Sequence, residues 1–405
     1  MKKVLTLAVL AAAIGLAACS KKENEGAAAP AAAAGALVVK IGHAAPLTGP
    51  QAHLGKDNEN GVRLAIDELN AKGFEIGGKK VQFELLSEDD QADPRVATTV
   101  AKKFVDDGVN AIIGHLNSGT TIPASRIYNE AGIVEVSPSA TNPKYTQQGY
   151  ANAFRVMAND VQQGAVLGEF AVKEMGAKNV AIIDDKTAYG AGLAAEFEKA
   201  VIASGGVIVV HEYTNDKASD FTAILTRIKG KKPDLLFYGG MDGQGAPMAK
   251  QMKTLGLTSR FLGGDGIHTA EFIKLAGAAA EGTTASLPGV PLQDMPKGPD
   301  FKKRFEAKYG VIQLYAPYCY DAMMVVAEAM QRAGSIEPAR YLPEMMKTHH
   351  DGVTASIGFD AKGDLTGGAI TVYRIVDGDW KVIKTIAGAP VVPAAAEAAA
   401  VPAAR

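Results

Sequence analysis

Three segments of the chain hold residue types that could bind charge. In Gly114-His115-Leu116-Asn117-Ser118-Gly119-Thr120-Thr121 an apolar run gives way to a polar, glycine-containing loop, then to a helical stretch from Ile122 to Glu130. A helix N-terminus leaves backbone N–H groups unpaired and carries a partial positive charge. With the hydroxyls of Ser118 and Thr120 it suits a carboxylate or a phosphate. Ser118 could instead cap its own helix, a role in which serine is favoured. The second segment, Ser137-Pro138-Ser139-Ala140-Thr141, follows the strand candidate Val134-Glu135-Val136 and repeats the hydroxyl chemistry. The third has the opposite sign: in Gly263-Gly264-Asp265-Gly266 an acid is flanked by glycines, so backbone and ligand can approach closely. The Asp265 carboxylate could pair with an ammonium, or be a turn aspartate with no ligand. A zwitterion needs donors for one end and an acceptor for the other, and the two kinds lie in different halves of the chain.

These loops need a scaffold that brings them to one edge. Short runs, most of them continuously apolar, mark strands at Val38–Gly42, Val81–Leu86, Ala111–Gly114, Val134–Ser137, Val180–Asp184, Val207–Glu212, Leu235–Tyr238 and Phe261–Gly263. Such runs fit parallel strands covered on both faces. Helical stretches separate them. Val62, Ala65, Ile66 and Leu69 form one apolar face ending at Gly73. Asp93-Pro94 reads as N-cap and first turn, with Gly108 as the stop. Ser219-Asp220 opens another helix. This alternation predicts an α/β fold built on doubly wound sheets. Ligands in such folds bind outside the carboxyl edge of the strands. Toward the end the rhythm changes to antiparallel strands at Ile357–Phe359, Ile370–Val376 and Lys381–Ile386, separated by Asp/Gly turns.

The ends lie outside that scaffold. Lys2 and Lys3 precede an apolar run too short to span a bilayer, which needs about 20 residues. It reads as a secretory signal over residues 1–18. Leu16-Ala17-Ala18-Cys19 resembles the lipobox of bacterial lipoproteins, which makes Cys19 the lipid attachment site and multiple acyl chains the anchor. Residues 19–36 and 388–405 are Ala-rich and of low complexity, and are expected to be a disordered tether and tail. About 350 residues remain, too many for one ordinary core and suited to two lobes. A net charge of −2 and a pI near 6.4 leave no basic stripe for nucleic acid. With Cys19 lipidated, Cys319 would be left without a disulfide partner, as a buried inert thiol.

Catalytic patterns are missing from the sequence, which has no H-E-x-x-H, C-x-x-C, Walker loop or G-x-S-x-G. Gly190-Ala191-Gly192-Leu193-Ala194-Ala195 imitates a dinucleotide fingerprint, with Glu212 as the ribose acid, but five residues intervene between strand and first glycine. Tyr189 at that mouth fits a pocket wall better. His349-His350 and Asp89-Asp90 are pairs without the further ligands a metal site needs. No cofactor is expected.

Together, Ala45-Pro46-Leu47-Thr48-Gly49-Pro50, Gly114–Ser118, Ser137–Thr141, Asp184–Gly190 and Tyr238-Gly239-Gly240 resemble the branched-chain amino acid (Leu/Ile/Val) binding proteins, type I periplasmic solute-binding proteins of ABC importers. The likeness covers roughly residues 38 to 386. It implies two Rossmann-like lobes with a ligand cleft between them and three crossovers: residues 38–156 and 287–365 in lobe one, 157–286 and 366–387 in lobe two. It also implies that Ser118, Asn117 and the Ser139, Ala140 and Thr141 loop hold a carboxylate, and that Asp265, with that same loop, meets an ammonium. Tyr189 matches a second-lobe tyrosine. Leu54 and Met241 occupy positions where relatives often have aromatics, and Asp265 is one methylene shorter than the usual Glu. The resemblance thus implies no enzyme but an extracytoplasmic, lipid-anchored monomer. It would deliver an α-amino acid, branched-chain or otherwise aliphatic, to ABC permease subunits. A relative of the same fold binding an amide, a urea-like compound or an aromatic acid is the alternative.

Overall fold

The computed structural model describes residues 36–387, so the signal segment, Cys19, nearly all of the tether and the tail lie outside the described residues. Strand and helix alternate from the start: β1 (Leu37–Ala45), α1 (Ala52–Ala71), β2 (Glu75–Ile76), β3 (Lys79–Asp89), α2 (Pro94–Asp106), β4 (Ala111–Gly114), α3 (Ser118–Ala131), β5 (Val134–Ser137) and β6 (Ala153–Arg155). They form a sheet of order β2-β3-β1-β4-β5-β6, parallel except for the β2–β3 hairpin. Asp93 accepts a hydrogen bond from the Arg95 amide ahead of Pro94, and Gly73 and Gly108 adopt positive φ just past their helices.

A second sheet follows the same logic: α4 (Asp160–Lys173), β7 (Asn179–Asp184), α5 (Ala188–Ala203), β8 (Val207–Tyr213), α6 (Thr222–Lys231), β9 (Leu235–Gly239), α7 (Asp242–Thr254), β10 (Arg260–Gly263), α8 (Ala270–Ala276) and β11 (Thr284–Pro288). After β11 the chain returns to the first lobe through α9 (Gly298–Tyr309), α10 (Ala316–Ala333) and α11 (Pro338–Met345), with a small hairpin of β12 (His350–Asp351) and β13 (Ser356–Ile357). It then crosses back as β14 (Ile370–Val376) and β15 (Asp379–Ile386), antiparallel additions that complete the order β15-β14-β11-β10-β9-β7-β8. Leu287 and Pro288 still pair within this sheet, so the return comes after Pro288.

Each sheet is covered on both faces, which is why central strands such as β4 and β9 read as unbroken apolar runs. Val100, Phe104, Ile112 and Tyr128 close one face of the first sheet, while α1 and α10 pack on the other. In the second, Ile183, Leu225, Leu236 and Met248 pack under α6 and α7, and α4 and α5 pair on the opposite side. Cys319 is buried in α10, and burial pushes its thiol pKa well up.

The glycine motif and the acidic and histidine pairs find their places here. Gly190 and Gly192 lie inside α5 rather than in a phosphate loop. A Cβ on Gly190 would sit 2.4 Å from the Gly239 carbonyl, so this glycine lets helix and strand approach. Glu212 is held by Arg227 at 2.8 and 2.9 Å, not poised for a ribose. Among the described residues, no group of three or more His, Cys, Asp or Glu is arranged to hold a metal ion. Asp90 bonds His115, and His350 bonds Glu328.

Candidate functional site

The carboxyl ends of β4, β5, β9 and β10 converge on one place. β4 is fully buried, and its continuation is pinned by His115, whose ring lies 2.8 Å from Asp90 and 2.9 Å from the Tyr128 hydroxyl. α3 then begins at Ser118. Asn117, not Ser118, is the N-cap; its carbonyl accepts from the amides and hydroxyls of Thr120 and Thr121. The Ser118 hydroxyl accepts from the Asn142 amide at 3.1 Å, so it does not cap its helix and keeps its own proton to donate. The first α3 amides face out of the helix end.

The β5 loop packs beside it. Ser139 Oγ donates to the Leu116 carbonyl at 3.1 Å and accepts from Asn58 at 3.3 Å. Ala140 has its N–H on Ser137 Oγ and its carbonyl on Arg155, at 3.0 and 2.7 Å. The buried guanidinium of Arg155 also reaches the Asn142 carbonyl, Thr146 Oγ1 and, at 2.6 and 2.9 Å, Asp364. This lattice ties the loop to the last interlobe crossover.

From the other lobe, the turn after β10 presents Asp265, which is fully buried. Its Oδ1 accepts from Gln163 and from the Tyr189 hydroxyl, each at 2.8 Å, and its Oδ2 accepts from the Tyr315 hydroxyl at 2.6 Å. Burial raises its pKa; the Tyr315 and Tyr189 hydrogen bonds oppose that without cancelling it. A carboxylate has about four acceptor positions; three are taken, which leaves one. Tyr315 precedes α10, and Asp57 of α1 sets its position. The Asp57 carboxylate accepts from the amides of Gln313, Leu314, Tyr315 and Ala316 at 2.8 to 3.0 Å.

Asn117, Ser118, Ser139, Tyr189, Met241 and Asp265 line one cavity, with Leu116 and Tyr315. Its free volume is about 10 Å³, room for a single water. Asn117, Tyr189 and Met241 also line a larger space of about 410 Å³ at the cleft mouth, with Gln51, Lys186 and Asp216. Three of the residues singled out from sequence are not on the inner wall. Leu54 packs wholly into the core under α1. Ala140 has both backbone groups committed as above. Thr141 is buried behind the loop, its carbonyl bonded to the Asp160 amide. Tyr315, Leu116 and Gln163 join the site instead. Gln163 and Tyr315 lie 102 and 50 residues from Asp265, and no local pattern announces either. Asp160, at the start of α4, is also buried nearby; burial first, then the charge of Asp265, lift its pKa to about 8.

A cavity of about 740 Å³ on the outer side of the first lobe is larger. Its charges are largely paired with one another, Arg304 with Glu68 and Asp300 and His350 with Glu328, so the smaller interlobe space is the candidate site.

Comparison with known proteins gives the family and agrees with this fold. The family model described as "Periplasmic binding protein" matches residues 38–379. The Leu/Ile/Val-binding protein homolog 1 of Brucella suis is 37% identical over 327 residues, covering 80% of this chain and 87% of that protein. The leucine-, isoleucine-, valine-, threonine-, and alanine-binding protein of Pseudomonas aeruginosa is 35% identical over 340 residues, covering 83% and 89%. Among solved structures, the leucine-binding protein LivK of Thermotoga maritima superposes with a TM-score of 0.80 at 29% identity, covering 86% of this chain and 98% of that one.

Proposed function

The chain belongs to the periplasmic binding protein family, and from that premise we propose that it captures a free α-amino acid with an aliphatic side chain and presents it to an ABC importer. In this reading the α-carboxylate takes the Ser118 hydroxyl and the first amides of α3. The α-ammonium takes the open acceptor position of Asp265, and the side chain lies against Leu116, Met241 and Tyr315. The observation that carries the reading is that Ser118 and Asp265, from different lobes and 147 positions apart in sequence, border the same small cavity. Charge pairs sealed from water attract more strongly than in solution, so ligand favours the closed arrangement and shifts the population toward it. The names of the relatives from Brucella suis and Pseudomonas aeruginosa support the aliphatic class. Binding, not catalysis, is the proposed activity, carried out by a monomer without cofactor. Cys19 is the proposed lipid anchor, holding the protein in the periplasm or cell envelope.

The test is thermal unfolding of the purified chain with leucine, isoleucine, valine, alanine, threonine, 4-methylpentanoate, benzoate and acetamide. A solute at about 100 times its Kd stabilises by about 2.7 kcal/mol. Aliphatic amino acids should raise the midpoint and 4-methylpentanoate, which lacks the ammonium, should not. Asp265→Asn should remove the amino acid response. A response to benzoate or acetamide alone would overturn the solute class.

A further inference from the structure

At the cleft mouth a titratable pair joins the lobes. His53 lies in the first turn of α1, and its Nε2 is 2.9 Å from Asp242 Oδ2. Asp242 is the first residue of α7 and is fully buried, and Thr269 Oγ1 donates to the same oxygen at 2.7 Å. Its other oxygen, Oδ1, is buried and has no partner. The two segments lie close here too: a Cβ placed on Gly243 would be 3.6 Å from the Pro50 side chain of the other lobe. Asp242 directly follows Met241, which lines both the inner cavity and the mouth. Separating the lobes has to break the His53–Asp242 contact, and nothing in the amino acid chemistry of the inner site requires it.

We propose that His53 and Asp242 form a clasp across the cleft mouth that retains solute more tightly when His53 is protonated. The proposal rests on the solute-binding reading above and adds a residue that sets affinity without touching the solute. The groups facing His53 are Asp242 of α7, Glu271 of α8 and the Pro50 carbonyl; those within electrostatic reach of Asp242 include Tyr238 and Tyr315. Burial pulls the His53 pKa down, but the hydrogen bond and charge of Asp242, helped by Glu271 and Pro50, outweigh it and leave the pKa raised. The sign follows. A histidine whose pKa is higher in the closed form stabilises closure fully below its ordinary pKa, and that contribution is lost as pH rises through the raised value. Solute affinity should therefore be greatest in acid. A hydrogen bond between charged groups is worth more than its neutral counterpart, and the partial exposure of His53 trims the difference to roughly three- to tenfold in affinity.

Leucine titration calorimetry on the whole chain at pH 5.5 and 8.5 tests this. The unsubstituted protein should lose roughly three- to tenfold in affinity between the two. His53→Gln and Asp242→Asn should both be weaker in acid and nearly flat with pH. A slope in His53→Gln equal to that of the parent overturns the clasp, and so does a parent with no slope. An NMR titration of the His53 ring keeps the clasp separate from the solute assignment. Should leucine fail to bind at any pH, the solute reading fails, while a His53 pKa that drops in Asp242→Asn still supports the clasp and an unchanged one overturns it.

Discussion

Replacing Arg155 by methionine probes the tie between the binding loop and the interlobe crossover. The guanidinium is fully buried and donates to Asp364, the carbonyls of Ala140 and Asn142, and Thr146 Oγ1. Methionine fills much of the space but donates nothing, so two carbonyls and a carboxylate lose their partner. Removing one member of a buried pair costs about 3–5 kcal/mol. Asp364 keeps Thr146 Oγ1 at 2.9 Å and Asn159 at 3.3 Å, and its side chain is 12% exposed, which favours the lower end, about 3 kcal/mol. With an unfolding entropy of about 2.1 cal/mol/K per residue over about 350 residues, that is a drop in Tm of about 4 °C. Scanning calorimetry measures it. Arg155→Met combined with Asp364→Asn should recover part of the loss, because no charge is then stranded. A single variant within 1 °C of the parent, or a double variant no better than the single, would refute the assigned role.

Three further outcomes are expected. The pKa of Asp160 is about 8 in the folded protein against an ordinary 3.8, so its contribution to stability erodes as pH rises from about 4 through 8. Asp160→Asn should therefore gain on the parent in Tm between pH 5 and pH 8.5, and a constant difference across that range would contradict the burial argument. Gly61→Ala should lower the urea midpoint, since its Cβ would lie 2.4 Å from the Ala316 carbonyl where α1 crosses α10, at a cost of about 1–3 kcal/mol. Gly230→Ala in α6, with nothing within 4 Å, should instead stabilise by about 0.5–1 kcal/mol.

What sequence reasoning could see was set by locality. Val134–Ser137 and Ile370–Val376 match the observed strands end to end, because an apolar run between turn residues is a complete local signal. β6 escaped it, being three residues long and carrying the buried Arg155, whose partners lie as far away as Asp364. β11 escaped it as well: Thr284 and Ser286 look like loop residues, yet the Ser286 hydroxyl is satisfied by Gln163 from α4. Ser118 and Asp265 could be singled out since each sits where a strand ends. Tyr315 and His53 could not, as their parts depend on partners 50 and 189 residues away. Leu54 lies in the same buried cluster as Leu116, Met241 and Tyr315 without bordering the cavity, since the face that a helical residue presents is decided by what packs on it.

The tightness of the inner cavity bears on timing. An amino acid is larger than this space, so the two sheets must swing apart to admit or release it and stand further apart around it than they do here. Exchange of one solute for another then runs at the frequency of that swing, and added solute beyond a certain concentration no longer hastens capture. Capture and release are thereby tied to one motion, and whatever speeds or slows that motion changes both together.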